Sequence, residues 1–272
     1  EYLGLSAEFL AALGFWAGIP WALKMPLGHL VDLIWRHKAG MVYLGASLIS
    51  ASLLIMVGLL SKPAAMGTYM PVEAWFVLST LLAPIGYVIQ DVVADAMTVE
   101  AVPVVDSTGQ PFPADVRRLM HTTMQTLGRV AIIGGTVFVA LLNVFMFEGV
   151  ENIDEAAKLG IYIRIYEIAL VIPLVSVAGV ILAGFLRRRE IRRLLGHGIE
   201  RAKAEELLHG HVERTPPNWW ILGGSLVFVV FTITMGLGEV PYNQEIIFAS
   251  SMAIVIFLIV RLTRLLETDA RK

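Results

Sequence analysis

The sequence predicts an all-α membrane protein folded as a helical bundle. Of its 272 residues, 57% are hydrophobic and only 16% are charged, a balance that soluble domains of this length do not have. Apolar runs of about 18 residues or more recur along the chain, and each is long enough to cross a bilayer as a helix. The chain has no cysteine, which excludes disulfides and thiolate metal ligands.

Seven apolar segments are predicted to span the membrane: residues 6–25, 39–60, 72–97, 119–147, 161–185, 219–238 and 245–265. Lysine and arginine concentrate in alternate connections, namely residues 26–38, 98–118, 186–217 and the C-terminus. Cytoplasmic segments of membrane proteins carry this excess of basic residues. These regions are therefore predicted to be cytoplasmic, in a bacterial inner membrane.

The spans divide into two bundles. Residues 1–185 are predicted to form an N-terminal transmembrane bundle, of which five helices are seen, and residues 218–272 the first two helices of a second bundle. Because the chain opens with Glu1 and enters an apolar segment at once, we expect one or more helices before residue 1.

The connector between the bundles, residues 186–217, is polar and ends in two prolines, which stop a helix. Between Arg188 and Leu208 apolar residues recur at helical spacing against a basic face. The connector is predicted to be either an amphipathic cytoplasmic helix at the headgroups or a solvated linker.

Two carboxylates lie near the inner end of the third predicted span. Asp91 and Asp95 are four residues apart and Tyr87 continues the stripe, so the three share one face of a helix. An ionised carboxylate at membrane depth costs about 2.5–3.5 kcal/mol on insertion scales, and it therefore faces a partner, a cavity or water. This stripe predicts a polar pathway through the bundle.

A second polar stripe, His121, Gln125 and Arg129, follows the fourth predicted span at the same spacing. Arg129 and Asp91 lie at similar depths in consecutive spans, so neighbouring helices would place the guanidinium near the carboxylates. A pair that opens could expose a site for an anion. A permanent salt bridge would only hold two helices together.

The connection after the first span contains Gly28, Asp32 and, further on, the basic Arg36 and Lys38. Gly28 would permit a close helix approach, and Asp32 would cap the following turn. This segment resembles the Gly-x-x-x-Asp…Arg/Lys loop of the major facilitator superfamily, although Leu33 stands where that superfamily usually has a basic residue.

Three segments resemble the folate-biopterin transporter family of that superfamily. They are Pro20-Trp21-x-x-Lys24-x-x-x-Gly28-x-x-x-Asp32, Asp91-Val-Val-Ala-Asp95-Ala-x-x-x-Glu100, and Gln125-x-x-Gly128-Arg129 followed by Gly134-Gly135. They fall in the order of helices two, four and five of the family. The resemblance implies a major facilitator-type bundle of twelve helices, of which the seven spans would be helices two to eight.

The resemblance also implies a function: a secondary active transporter that moves a small organic anion, folate- or pteridine-like, by proton- or ion-coupled alternating access. The expected substrate and coupling pathway comprises Asp91, Asp95, Arg129, Tyr87 and Gln125. The expected cytoplasmic gate comprises Lys24, Gly28, Asp32, Arg36 and Glu100. Asp95 is open to either a pathway role or a latch to the basic loop, and Glu100 to a latch or a solvated helix end.

Membrane lipid, the anionic substrate and other membrane proteins are the expected partners. No nucleic-acid partner, enzymatic activity, cofactor or metal is expected, because no phosphate-binding loop, dinucleotide fingerprint or catalytic triad is present in the sequence. A rival from another class is a transporter-shaped scaffold or assembly factor within a larger complex. A transporter needs Asp91 and Arg129 at a central solvated space, whereas a scaffold can bury them as a closed pair.

Overall fold

The computed structural model describes residues 5–22, 24–34, 37–100, 102, 110–196, 198–201, 203–204, 217, 219–237 and 240–270. Helices account for 87% of this described part, which contains no β-strand. The prediction of an all-helical chain is confirmed.

The α-helices of the described chain are α1 (Ala7–Ala22), α2 (Lys24–Leu33), α3 (Lys38–Ser61), α4 (Pro63–Gly67), α5 (Val72–Glu100), α6 (Ala114–Met146), α7 (Glu155–Ala169), α8 (Val171–Gly196), α9 (Trp219–Leu237) and α10 (Asn243–Ala270). A short 3-10 turn, Val150–Asn152, precedes α7. The side chain of Asp154 caps α7 by accepting a hydrogen bond from the Ala157 amide at 2.9 Å.

Four segments are long and apolar enough to cross a membrane: Lys38–Ser61, Val72–Thr98, Ala114–Met146 and Ala157–Gly196. This finding fits the predicted integral membrane protein. Shorter apolar helical stretches occur at Leu222–Met235 and Glu245–Ile254. The count of seven spans stays a prediction.

The tightest helix pair is α3 against α5. A Cβ atom added to Gly45 would lie 2.7 Å from the carbonyl oxygen of Gly86, and one added to Gly86 would lie 2.5 Å from the carbonyl oxygen of Gly45. Only glycine at both positions allows the backbones to approach so closely, as small residues commonly do between membrane helices.

A buried serine pair joins the same two helices further along. The Ser52 hydroxyl donates to the Ser79 carbonyl at 2.8 Å, and the Ser79 hydroxyl donates to the Ser52 carbonyl at 3.0 Å. Each buried hydroxyl is thereby satisfied by the opposite helix, so the pair fixes the register of α3 against α5.

The segment predicted as the first cytoplasmic loop is a packed helix, α2, in its described part. Val31 is fully buried in the core formed with α3 and α5, and His29 is also buried. Asp32 was expected to cap the following turn, but it is exposed inside α2, and His37 is the N-cap of α3. Gly28 was expected to permit a close helix approach, but a Cβ atom added there would make only an ordinary 3.9 Å contact with Val92. Both expectations are wrong.

The predicted boundary after residue 185 falls inside α8, which continues without interruption to Gly196. Gly198 then adopts a positive φ of 81°, which is typical of the residue that ends a helix. The basic start of the predicted connector is therefore an extension of the long apolar helix α8. Most of residues 197–216 lie outside the described chain.

Candidate functional site

The two carboxylates singled out by the sequence share one cation, Lys24. The Lys24 Nζ atom lies 2.6 Å from Oδ2 of Asp91 and 3.2 Å from Oδ2 of Asp95. We call these three residues the Lys24 cluster. It has one ammonium and two carboxylates, so its formal net charge is −1 when all three are ionised.

The packing of α2 on α5 positions this cluster. Lys24 is the first residue of α2, and Asp91 and Asp95 occupy successive turns of α5. Val31 of α2 and Val92 of α5 belong to the same buried core, so the apolar faces of the two helices hold their polar edges together. The cluster thus follows from hydrophobic packing as much as from charge attraction.

The two ion pairs differ in environment. The Asp91 side chain is 20% exposed, whereas that of Asp95 is 68% exposed and that of Lys24 is 42% exposed. Solvent screens the Asp95 pair more strongly, and exposed pairs contribute little to stability. Asp91 is therefore the principal partner of Lys24, and Asp95 is the one that water reaches more easily.

An aromatic pair flanks the cluster. The rings of Trp21 and Tyr87 are 5.5 Å apart between centroids and tilted by 55°. Trp21 lies near the end of α1, three residues before Lys24 in the sequence, and Tyr87 lies one turn before Asp91 on α5; both residues are 46% exposed. Tyr87, predicted to lie on the pathway, is thus placed beside the carboxylates.

The structure adds Gln90, which the sequence analysis missed. Its Nε2 donates to the Val42 carbonyl at 3.3 Å, and its Oε1 accepts from the Ser176 hydroxyl at 3.2 Å. One amide thus links α3, α5 and α8. The available signal was an amide side chain in a largely apolar helix, since membrane helices use such groups to bond their neighbours.

Arg129 and Gln125 are not part of the cluster. Both are exposed on α6, and none of the α6 side chains is buried. No ion pair between Arg129 and a described carboxylate is present, and Asp91 pairs with Lys24 instead. Helix α6 does contact α5, but Gln125 and Arg129 lie exposed on it.

The remaining predicted gate residues are placed as follows. Glu100 is the last residue of α5, Gly28 and the exposed Asp32 lie on α2, and Arg36 lies outside the described residues. Among the gate side chains that the structure describes, Lys24 is the one in contact with the predicted pathway.

No protein-family model matches this chain, and neither a curated protein nor a solved structure shows significant similarity to it. The resemblance of its three segments to the folate-biopterin transporter family therefore stays a prediction.

Proposed function

We propose that this protein is a secondary active transporter of the major facilitator type, similar to the folate-biopterin transporters, in which the Lys24 cluster forms a gate at the cytoplasmic side of a bacterial inner membrane. The observation that carries the proposal is the sharing of one ammonium by two carboxylates on another helix. This contact joins α2 to α5 and is partly open to water, as a gate that opens and closes requires.

Protonation supplies a means of opening the gate. Protonation of Asp91 would remove the charge that holds Lys24 most closely and would leave the ammonium paired only with the more exposed Asp95. An incoming organic anion would compete for the same ammonium. Coupling to protons would follow, because the anion and the proton would each weaken the same contact.

The substrate proposed from the family resemblance is a folate- or pteridine-like anion. Lys24 is the cation that the geometry favours for its carboxylate, in place of Arg129. The exposed Trp21–Tyr87 pair beside it offers apolar contact area for a ring. Gln125 and Arg129 keep a role in this proposal only if α6 turns its polar stripe toward the pathway in another conformation.

The test is uptake of labelled folate and pterin into proteoliposomes with an imposed pH gradient. Asp91→Asn and Lys24→Gln are expected to lose at least about tenfold in rate, as loss of a charge-assisted contact implies. Lys24→Arg, which keeps the charge, is the matched control and should retain more activity than Lys24→Gln. Absence of uptake by the unmodified protein, across a panel of organic anions, would refute transport.

A scaffold or assembly factor within a larger complex is the second candidate, and one observation favours it. Helix α6 exposes apolar side chains around its whole circumference, and Cβ atoms on Gly128, Gly134 or Gly135 would meet nothing within 4 Å. Small residues in membrane helices commonly mark packing faces. Recovery of a stoichiometric membrane-protein partner by cross-linking through α6, together with no uptake, would support this candidate.

A further inference from the structure

The inner end of α8 carries a dense arginine cluster that the proposed gate does not use. Between residues 187 and 193 there are five arginines against one glutamate, a formal net charge of +4. The run begins directly after Leu186, at the end of an apolar helical segment, so it lies where a membrane helix leaves the hydrocarbon core.

The exposure pattern shows which way these side chains face. Glu190, Ile191 and Leu194 are half-buried, whereas all five arginines are exposed. With 3.6 residues per turn, Arg188, Arg192, Arg189 and Arg193 follow one another around about 140° of the helix circumference. Helix α8 therefore presents a continuous guanidinium face away from the bundle, which we call the arginine arc.

The depth of the arc matches the polar layer of a bilayer. At 1.5 Å per residue, the arc from Arg188 to Arg193 rises about 7.5 Å along the helix, and one headgroup layer is roughly 5–8 Å thick. An open depression of about 500 Å³ is lined by Leu186, Arg187, Arg189, Glu190 and Arg193. Leu186 lines the end of the depression next to the apolar helical segment, and the charged residues line the rest. A lipid's acyl chain and phosphate would meet the lining in that order.

The charge of the arc is largely uncompensated within the described chain. The carboxylate of Glu190 lies 3.7 Å from Nη1 of Arg193. No described carboxylate forms an ion pair with Arg188, Arg189 or Arg192, and Arg192 donates only to the backbone carbonyl of Arg188, at 3.4 Å. One guanidinium group can donate two parallel hydrogen bonds to the oxygens of a phosphate.

From these observations we propose that the arginine arc on α8 is a binding site for the phosphate headgroups of anionic phospholipids. The site lies on a different helix from the Lys24 cluster, and it does not depend on whether the protein transports a substrate.

The test is native mass spectrometry of the protein purified in detergent and titrated with phosphatidylglycerol or phosphatidylcholine. The unmodified protein is expected to bind phosphatidylglycerol at least about tenfold more tightly than phosphatidylcholine. The triple variant R188Q/R189Q/R192Q should lose roughly ten- to a hundredfold in that affinity, while phosphatidylcholine binding stays unchanged. Detergent has no sidedness, so an altered membrane orientation cannot cause the loss.

The variant R117Q/R118Q/K203Q removes the same charge elsewhere and is the matched control, expected to stay within about twofold of the unmodified protein. The variant R188K/R189K/R192K keeps the charge but lacks the paired donors of the guanidinium. Its affinity for phosphatidylglycerol should lie between those of the triple glutamine variant and the control. An equal loss in the control, or no preference of the unmodified protein for phosphatidylglycerol, overturns the proposal. Displacement of the lipid by equimolar inorganic phosphate would also overturn it, because the site would then bind free phosphate. If the triple variant fails to fold, the lysine variant still tests the arc, and the lipid preference and the phosphate competition of the unmodified protein can still overturn the proposal.

Discussion

Helices α5 and α6 are both long, apolar and consecutive, yet they are packed very differently. On α5, Val88 and Val93 are almost completely buried, and Gly86 and Ser79 contact α3 directly. On α6, none of the 33 residues is buried. Apolarity thus decides whether a helix can enter a bilayer, whereas small and polar residues in matching register decide which helix it packs against.

The most damaging change expected is Gly86→Ala, which would introduce a methyl group into the closest approach of α3 and α5. The added Cβ would lie 2.5 Å from the Gly45 carbonyl oxygen and 2.9 Å from Ile49 Cγ1. Overpacking of this kind should lower the free energy of unfolding by about 3 kcal/mol. Thermal or denaturant unfolding in detergent measures the change.

Gly134→Ala on α6 is the matched control, because nothing lies within 4 Å of the added Cβ. It should be neutral or slightly stabilising, by up to about 1 kcal/mol, since alanine favours helix more than glycine does. Equal losses in the two variants would show that α6 is as tightly packed as α5.

A smaller effect is expected from Lys24→Met, which removes the cation from the Lys24 cluster. The largely buried Asp91 would lose its charged partner, and the free energy of unfolding should fall by about 2 kcal/mol. Arg129→Met on α6 should cost nothing measurable, because that guanidinium has no described carboxylate beside it.

A double-mutant cycle sharpens this prediction further. The coupling of Lys24 with Asp91 should exceed its coupling with Asp95, since the first pair is both shorter and less exposed. The reverse order would contradict the assignment of Asp91 as the principal partner.

The smallest of these effects is expected from Ser52→Ala, which breaks the buried serine pair. The loss should be about 1 kcal/mol, as is usual for hydrogen bonds between membrane helices. Thr136→Ala is the control on α6, because its hydroxyl donates only to the Ile132 carbonyl of its own helix and its removal should change stability by less than about 0.5 kcal/mol. A Thr136→Ala loss equal to that of Ser52→Ala would contradict the role of the serine pair.

The sequence predicted the positions of the helices better than it predicted which helix faces pack against each other. Hydropathy located α3, α5 and α6 closely, because a bilayer requires a minimum length of apolar helix and satisfies no backbone groups. A spacing of four likewise placed Asp91 and Asp95 on one face, and the structure joins both to a single cation.

The sequence did not identify that cation, because hydropathy does not determine which faces of two helices meet. Arg129 was expected beside Asp91 because consecutive helices are often neighbours, but the rotation of α6 about its axis is not encoded in its hydropathy. Lys24 was expected in the cytoplasmic gate, at the inner end of the first span. Its contact with Asp91 depends on the folding of residues 24–33 into a helix that buries Val31, which is a tertiary event.

The sharing of Lys24 between Asp91 and Asp95 has a mechanical consequence. The two carboxylates lie one turn apart, which is about 5.4 Å along α5. One ammonium thus braces the beginning of α2 against two successive turns of α5. This arrangement restrains both sliding and rotation of that end of the helix, while Val31 holds the rest of α2 in the core.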